Sequence, residues 1–204
     1  FASSAASDVY KRQFLGHATL EIQINEFNLL VDPFISGNPM ASNVDLDDLK
    51  PDFILITHAH QDHTLDVEKL AKDNNSLIIS NFEIVSHFQS KGLNGHPMNH
   101  GGKWNFDFGE LKYVNAIHTS TFPDGSNGGQ PGGFIITSNN KSIYIAGDTA
   151  LTYDMKLIPI NYNLDLAILP IGDNFTMGYK DAIIASDFIE CNKILGYHFD
   201  TFGL

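Results

Sequence analysis

The sequence predicts a mixed α/β fold in one domain, and three features of its hydrophobic pattern carry that expectation. Apolar residues alternate with polar ones near the start, and short wholly apolar runs then alternate with stretches of helical spacing. No internal repeat or linker-like change of composition divides the 204 residues, which suffice for one sizeable core.

Taken in order, Leu20, Ile22 and Ile24, then Leu29 and Val31, flank Asn25-Glu26 as the two strands of a hairpin. Phe53-Ile54-Leu55-Ile56, entered from Pro51, is expected to be a strand buried on both faces. Val67, Leu70 and Ala71 repeat at helical spacing, Ser76 to Ile79 is a strand, and Phe82, Val85 and Phe88 mark a helix ended by Gly92. Phe134-Ile135-Ile136 and Ile143-Tyr144-Ile145 flank Asn139-Asn140 as a second hairpin, and Leu166 to Leu169 is another buried strand. Ala182, Ala185, Phe188 and Ile189 give a late helix before Ile194 to Tyr197. Pro123 to Gly133 is a Gly- and Pro-rich loop without phosphate-binding spacing. This order fits two mixed β-sheets with helices outside, although periodicity does not select that topology over other layered arrangements.

Composition narrows the function classes. An apolar share of 43% is that of a globular protein, and no apolar run approaches the roughly 20 residues of a spanning helix, so a soluble protein is expected, with the cytoplasm favoured. Twenty-four acidic against twelve basic residues give a formal charge of −12, which repels polyanions and excludes nucleic acid as an expected partner. A small-molecule substrate is expected; bound cations would allow an anionic one, and a homo-oligomer is compatible with the chain. Cys191 stands alone, so no intrachain disulfide or Cys-based zinc cluster forms, and its apolar neighbours make it buried filler. Residues 1–12, opening on Phe1-Ala2-Ser3-Ser4, are expected to be an added or processed tail, with the domain spanning 13–204.

The chemistry concentrates at His58-Ala59-His60-Gln61-Asp62-His63, four metal-competent side chains within six residues at the end of a buried strand. A helix would place His58 and His60 about 200° apart, so the motif is expected to be extended and then turning. Two imidazoles could then take one metal while Asp62 and His63 swing toward a second. Four ligands are too few for two ions, so further donors at strand ends are required. His118 after Tyr113 to Ile117, Asp148 after Ile143 to Ala146, and His198 after Lys193 to Tyr197 all leave a strand for a turn.

The segment matches the HxHxDH signature and resembles the metallo-β-lactamase superfamily, with His118, Asp148 and His198 in the superfamily's order. Leu15-Gly16-His17-Ala18-Thr19, Val31-Asp32-Pro33-Phe34, Ala146-Gly147-Asp148-Thr149, Leu169 to Asp173 and Phe175-Thr176-Met177-Gly178 further resemble metal-dependent hydrolases related to L-ascorbate-6-phosphate lactonase, from about Gln13 to Phe202. The resemblance implies an αββα sandwich and His58, His60 and His118 on one metal. It implies Asp62, His63 and His198 on the other, with Asp148 bridging. It also implies two divalent ions, zinc favoured and manganese or iron allowed, that activate water to attack a small ester or lactone, with Asp62 as the catalytic proton acceptor. Asn174 departs from an expected His, and relatives continue beyond Leu204, so a short C-terminal segment walling the pocket is expected to be missing.

Alternatives stay open at several positions. His17 is a pocket residue or a satisfied buried histidine. Asn174 and Thr176 line the pocket, or Thr176 caps the helix beginning near Gly178. His87 is read as a solvated surface histidine, and His96 and His100 as members of a surface loop. The runner-up functions are a phosphodiesterase of the same fold and a non-hydrolytic protein, either a di-iron redox module or a metal binder. A tRNA-processing nuclease is disfavoured by charge, and a β-lactamase proper by Asp148 in place of the cysteine that many of them carry.

Overall fold

The structure, a computed structural model, describes residues 10–203. Phe1 to Ser7, assigned to a tail, lie outside the described residues. β1 (Tyr10–Gly16), β2 (Thr19–Ile24), β3 (Phe27–Val31), β4 (Phe53–Leu55), β5 (Leu77–Asn81) and β6 (Gly95–Met98) form a six-stranded sheet in chain order. β7 (Lys103–Phe106), β8 (Gly109–Asn115), β9 (Gly132–Ser138), β10 (Lys141–Ile145), β11 (Leu166–Pro170) and β12 (Ile194–Tyr197) form a second, again in chain order. Both are mixed. β1 to β3 and β7 to β10 are antiparallel, whereas β3 to β6 and β10 to β12 are parallel.

Alternation along the strands decides the layering. Leu29, Val31 and Leu55 of the first sheet meet Phe134, Ile136, Ile143 and Ile145 of the second in a central core. Their neighbours Leu30, Ile54 and Ile56 turn outward and are covered by α2 (Val67–Asn74) and α3 (Phe82–Ser90) through Val67, Leu70, Ile84 and Phe88. On the far side Ile135, Tyr144, Ala167 and Leu169 are covered by α4 (Tyr179–Phe188) and a 3₁₀ turn at Tyr153–Leu157. Four layers follow, helix, sheet, sheet and helix, because the central strands are apolar on both faces. Cys191 fills part of the third cluster. Among the described residues no helix is long and apolar enough to cross a membrane.

The expected hairpins are present, with Asn139 and Asn140 at φ 49° and 60° in the tight turn between β9 and β10. Three features differ from expectation. β1 begins at Tyr10, inside the stretch assigned to the tail, because its pairing with β2 runs through backbone bonds that Lys11 and Arg12 do not advertise. His96-Pro97 lies in edge strand β6 and not in a loop, a place that tolerates proline because no further strand needs its N–H. His87 stacks on the Phe122 ring at 3.9 Å and 15°, so it packs where a solvated residue was expected.

Strand direction places the chemistry. β1 and β3 run the same way because each is antiparallel to β2, and β4 runs parallel to β3. In the second sheet β8 and β10 are both antiparallel to β9, and β12 follows their direction through β11. His17, Asp32, His58, His118, Asp148 and His198 therefore all leave the C-terminal ends of like-directed strands, where layered α/β folds gather their ligands.

Candidate metal centre

The motif is extended and then turns. His60 has φ −63° and ψ 151°, and a single helical turn, α1 (Gln61–Thr64), follows it. That turn carries Asp62 and His63 to one side of His58 and His60. Gly147 makes a second bend possible: it sits at φ 69°, where an added Cβ would lie 2.7 Å from the Gly132 carbonyl oxygen and 3.0 Å from Thr57 Cβ. Asp148 is thereby delivered into the centre of the cluster. His198 adopts φ 59° after β12, and its N–H donates to the His17 carbonyl at 2.7 Å, which joins the ends of the two sheets.

The donor atoms converge. His58, His60 and His118 form one set, His17, Asp62, His63 and His198 a second, and His58, His63 and Asp148 a third, each with atoms within 4.8 Å of one another. Asp148 Oδ2 lies 2.9 Å from His198 Nε2, 3.4 Å from His63 Nε2, 3.6 Å from His118 Nε2 and 3.9 Å from His58 Nε2. The 2.9 Å approach lacks hydrogen-bond direction. His63 Nε2, His198 Nε2 and Asp148 Oδ1 are buried without a hydrogen-bond partner, an expensive arrangement unless a cation satisfies them.

The surrounding hydrogen bonds orient these lone pairs. Asp32, fully buried at φ 45°, accepts from the Thr57 N–H at 2.8 Å and the Thr57 hydroxyl at 2.6 Å. Its Oδ2 also accepts from His63 Nδ1 at 2.9 Å, which leaves His63 Nε2 to face the centre. Because the Thr57 hydroxyl proton is committed to Asp32, Thr57 Oγ1 accepts from His58 Nδ1 at 3.0 Å. His58 Nε2 then presents a lone pair, 3.0 Å from His60 Nδ1. His60 Nε2 is paired with Thr119 Oγ1 at 3.1 Å, so its Nδ1 is the ring nitrogen turned toward His58 Nε2. An all-nitrogen-and-oxygen donor set of this kind fits divalent zinc, iron or manganese, with the His58, His60 and His63 rings held by outer partners.

Electrostatics agree. Burial lowers the pKa of His58, His60 and His118, keeping them neutral as ligands, and lowers that of His17 beside them. For His63 burial acts the same way, but the Asp148 and Asp32 carboxylates outweigh it and raise its pKa well above 6.5. Burial would raise Asp148, yet His63 and His198 beside it hold it well below the ordinary carboxylate range. Asp62 is likewise held low, against burial, by its hydrogen bond with His17 and by His63. In the metal-free protein the His63 proton thus supplies the positive charge that a cation would bring.

The remaining site residues fall in different places. His17 is buried; its Nε2 donates to Asp62 Oδ2 at 2.9 Å and its Nδ1 accepts from Thr201 at 2.8 Å, so it is both satisfied and in contact with the centre. Asn174 lines a cavity beside His198. Thr176 lies outside that cavity and does not cap α4: its hydroxyl donates to the Met177 carbonyl at 3.2 Å, and Gly178 at the N-cap makes no side-chain bond. Thr57, Thr119, Ser120 and Thr201 were not legible as site residues, since a threonine or serine carries no motif of its own. The glycine loop has a packing role: a Cβ on Gly128 would collide with Ala59 inside the histidine motif, and Ser120 accepts from the Ala59 N–H at 3.1 Å.

An αββα sandwich with paired His/Asp clusters at its strand ends defines the class of metal-dependent hydrolases built on the β-lactamase scaffold. The chain belongs to the metallo-β-lactamase superfamily, matching the beta-lactamase superfamily domain over residues 27–199. It is 66% identical over 193 residues to a UPF0173 metal-dependent hydrolase of Flavobacterium johnsoniae, covering 95% of this chain and 86% of that one. A second, from Christiangramia forsetii, is 64% identical over 194 residues, with coverage of 95% and 86%. Among solved structures, a metallo hydrolase from the archaeon Ignicoccus hospitalis superposes with a TM-score of 0.85 at 30% identity, covering 95% of this chain and 84% of that one. The protein is a metal-dependent hydrolase.

Two outcomes follow from the site. Replacing Asp32 with Asn should lower metal affinity about 10–100-fold, measured by chelator competition, because His63 and Thr57 lose their charged acceptor; an unchanged affinity would contradict this. For pH, a His63 pKa raised above 6.5 contributes stability that is present below 6.5 and lost as pH rises through the shifted value. The melting temperature of chelator-treated protein should therefore fall as pH rises above neutral, and metal loading should flatten that slope by displacing the proton. Steady or rising stability of the metal-free form would contradict it.

Proposed function

We propose that the protein hydrolyses a small ester- or lactone-type substrate with two divalent cations, zinc favoured, held between its sheets. The observation that carries this reading is the position of Asp148 Oδ2, within 3.9 Å of imidazole nitrogens from both donor sets. His58, His60 and His118 would hold one ion and Asp62, His63 and His198 the other, with Asp148 between them. His17 is no ligand in this assignment, because both of its ring nitrogens are engaged by Asp62 and Thr201.

Cations bound there would polarise the scissile carbonyl and bring the pKa of water from 15.7 to around 7. The chain's own residues do the rest. His17 holds Asp62 through Oδ2, the oxygen that also lies 3.8 Å from His63 Nε2 and 3.9 Å from His198 Nε2. Ionised throughout the working range, Asp62 ligates first and accepts the proton of the attacking water only transiently. One C–O bond forms to that water and the ester C–O bond breaks; the leaving oxygen takes the proton back, giving an acid and an alcohol. The local likeness to lactonase-related hydrolases supports the lactone or ester, and the charge of −12 argues against nucleic acid as substrate.

Elemental analysis of the purified protein should find two ions per chain, and His63→Ala should bring that toward one. The same variant should lose at least about 100-fold of the hydrolysis measured on a panel of small esters and lactones. Full loading of the variant would remove His63 from the second site, and a loaded wild type inert across the panel would remove the ester or lactone assignment.

A further inference from the structure

His118 is held differently from the other imidazoles of its set. His58 and His60 are paired through their rings with Thr57 and Thr119, whereas the His118 ring makes no hydrogen bond among the described residues and meets Asp148 Oδ2 at 3.6 Å. Its neighbours do not anchor it by burial either: Ile117 is 53% exposed and Thr119 is exposed, and β8 has already ended at Asn115. Two buried hydroxyls flank it instead. Thr149 Oγ1 accepts from the Ile117 N–H at 3.0 Å and donates to the Ala150 carbonyl at 2.8 Å, while the Ala150 N–H donates to the Ile117 carbonyl at 3.1 Å. The residue before His118 is thereby fastened to the loop that carries Asp148. Ser120 Oγ accepts from the Ala59 N–H at 3.1 Å and donates to the Gly128 carbonyl at 2.9 Å, so the segment after His118 is fastened between His58 and His60. Both anchors are backed from behind. The Thr149 carbonyl accepts from the Met177 N–H at 2.9 Å; the Gly128 carbonyl also accepts from the Asn81 amide at 2.7 Å, and Asn81 Oδ1 in turn caps α3 through the Ile84 N–H.

We infer that Thr149 and Ser120 are positioning residues for His118, which place its imidazole through the backbone on either side of it. The inference rests on the assignment of His118 to a metal made above. Metal–imidazole bonds tolerate errors of only about 0.2 Å, so a ligand whose ring has no outer partner must have its main chain fixed. Thr149 sets the distance from His118 to Asp148, and Ser120 sets it to His58 and His60. Without either hydroxyl a backbone N–H loses its acceptor and the segment is free to shift. That shift falls on the ion shared by His58, His60 and His118, because neither hydroxyl bonds to the residues that carry Asp62, His63 or His198.

Chelator competition with zinc reads the ions one at a time. His118→Ala identifies the ion that needs this ligand, and Thr149→Val and Ser120→Ala should each weaken that same ion about 10–100-fold while the other keeps its affinity. Thr149→Ser retains the hydroxyl and should bind zinc as the wild type does. So should Ser76→Ala, which removes a buried hydroxyl bonded to the Pro51 carbonyl just before β5, away from the strand ends that carry the ligands. In cobalt-loaded protein, the visible absorption of the affected ion alone should change in Thr149→Val and Ser120→Ala. Ser120→Ala carries the test if Thr149→Val does not fold. Affinities unmoved by both variants, equal weakening of both ions, Thr149→Ser behaving like Thr149→Val, or a His118→Ala protein that binds zinc as the wild type does overturns the inference. Hydrolysis of the ester and lactone panel is assayed alongside. If the wild type takes up a single ion or cleaves none of the panel, while both variants still weaken the ion that needs His118, the reading above falls and the positioning role stands.

Discussion

A buried carboxylate among buried imidazoles needs a positive charge, and that requirement organises the rest of this structure. Asp148 and Asp32 sit on either side of His63, with all three side chains buried. Burying such groups uncompensated costs several kcal/mol apiece, more than a typical surface ion pair returns. Two arrangements satisfy the cluster: a proton on His63, or cations between the rings. The first would serve the chain without metal, and the second accounts for His63 Nε2, His198 Nε2 and Asp148 Oδ1 being buried without hydrogen-bond partners.

The fold supplies this geometry by sending every donor to the same edge. Strands that are apolar on both faces put the two sheets back to back, and their shared direction brings the ends of β1, β3, β4, β8, β10 and β12 together. The centre is then tied across the sheets by the His198 N–H to the His17 carbonyl and by the Tyr113 hydroxyl to the Thr57 carbonyl at 3.2 Å. Rigid strand ends hold the ligands within the tolerances that metal sites need, while the adjoining loops are left to define what binds.

Much of this was legible in the sequence. The dense donors of His58 to His63 and the apolar runs leading into them stand out because each is a local pattern, and His118, Asp148 and His198 stand out because each closes a strand. What stayed hidden depends on distant partners. Thr57 matters only because Asp32 takes its proton, and Thr201 only because it reaches His17 from the far end of the chain. His17 could not be resolved between buried and functional because it is both. Strand β6 was missed since its pairing is carried by backbone and only Met98 among its residues is apolar and buried. Thr176 was over-read: a threonine before a helix suggests a cap, but the N-cap falls at Gly178.

The measurement closest to the central claim is a crystal structure of the metal-loaded protein with anomalous scattering collected at the metal edge. Two peaks about 3.5–4 Å apart are expected, one against His58, His60 and His118 and one against Asp62, His63 and His198, with Asp148 between them. A single peak, or ions held by residues elsewhere while these imidazoles remain bare, would contradict the account.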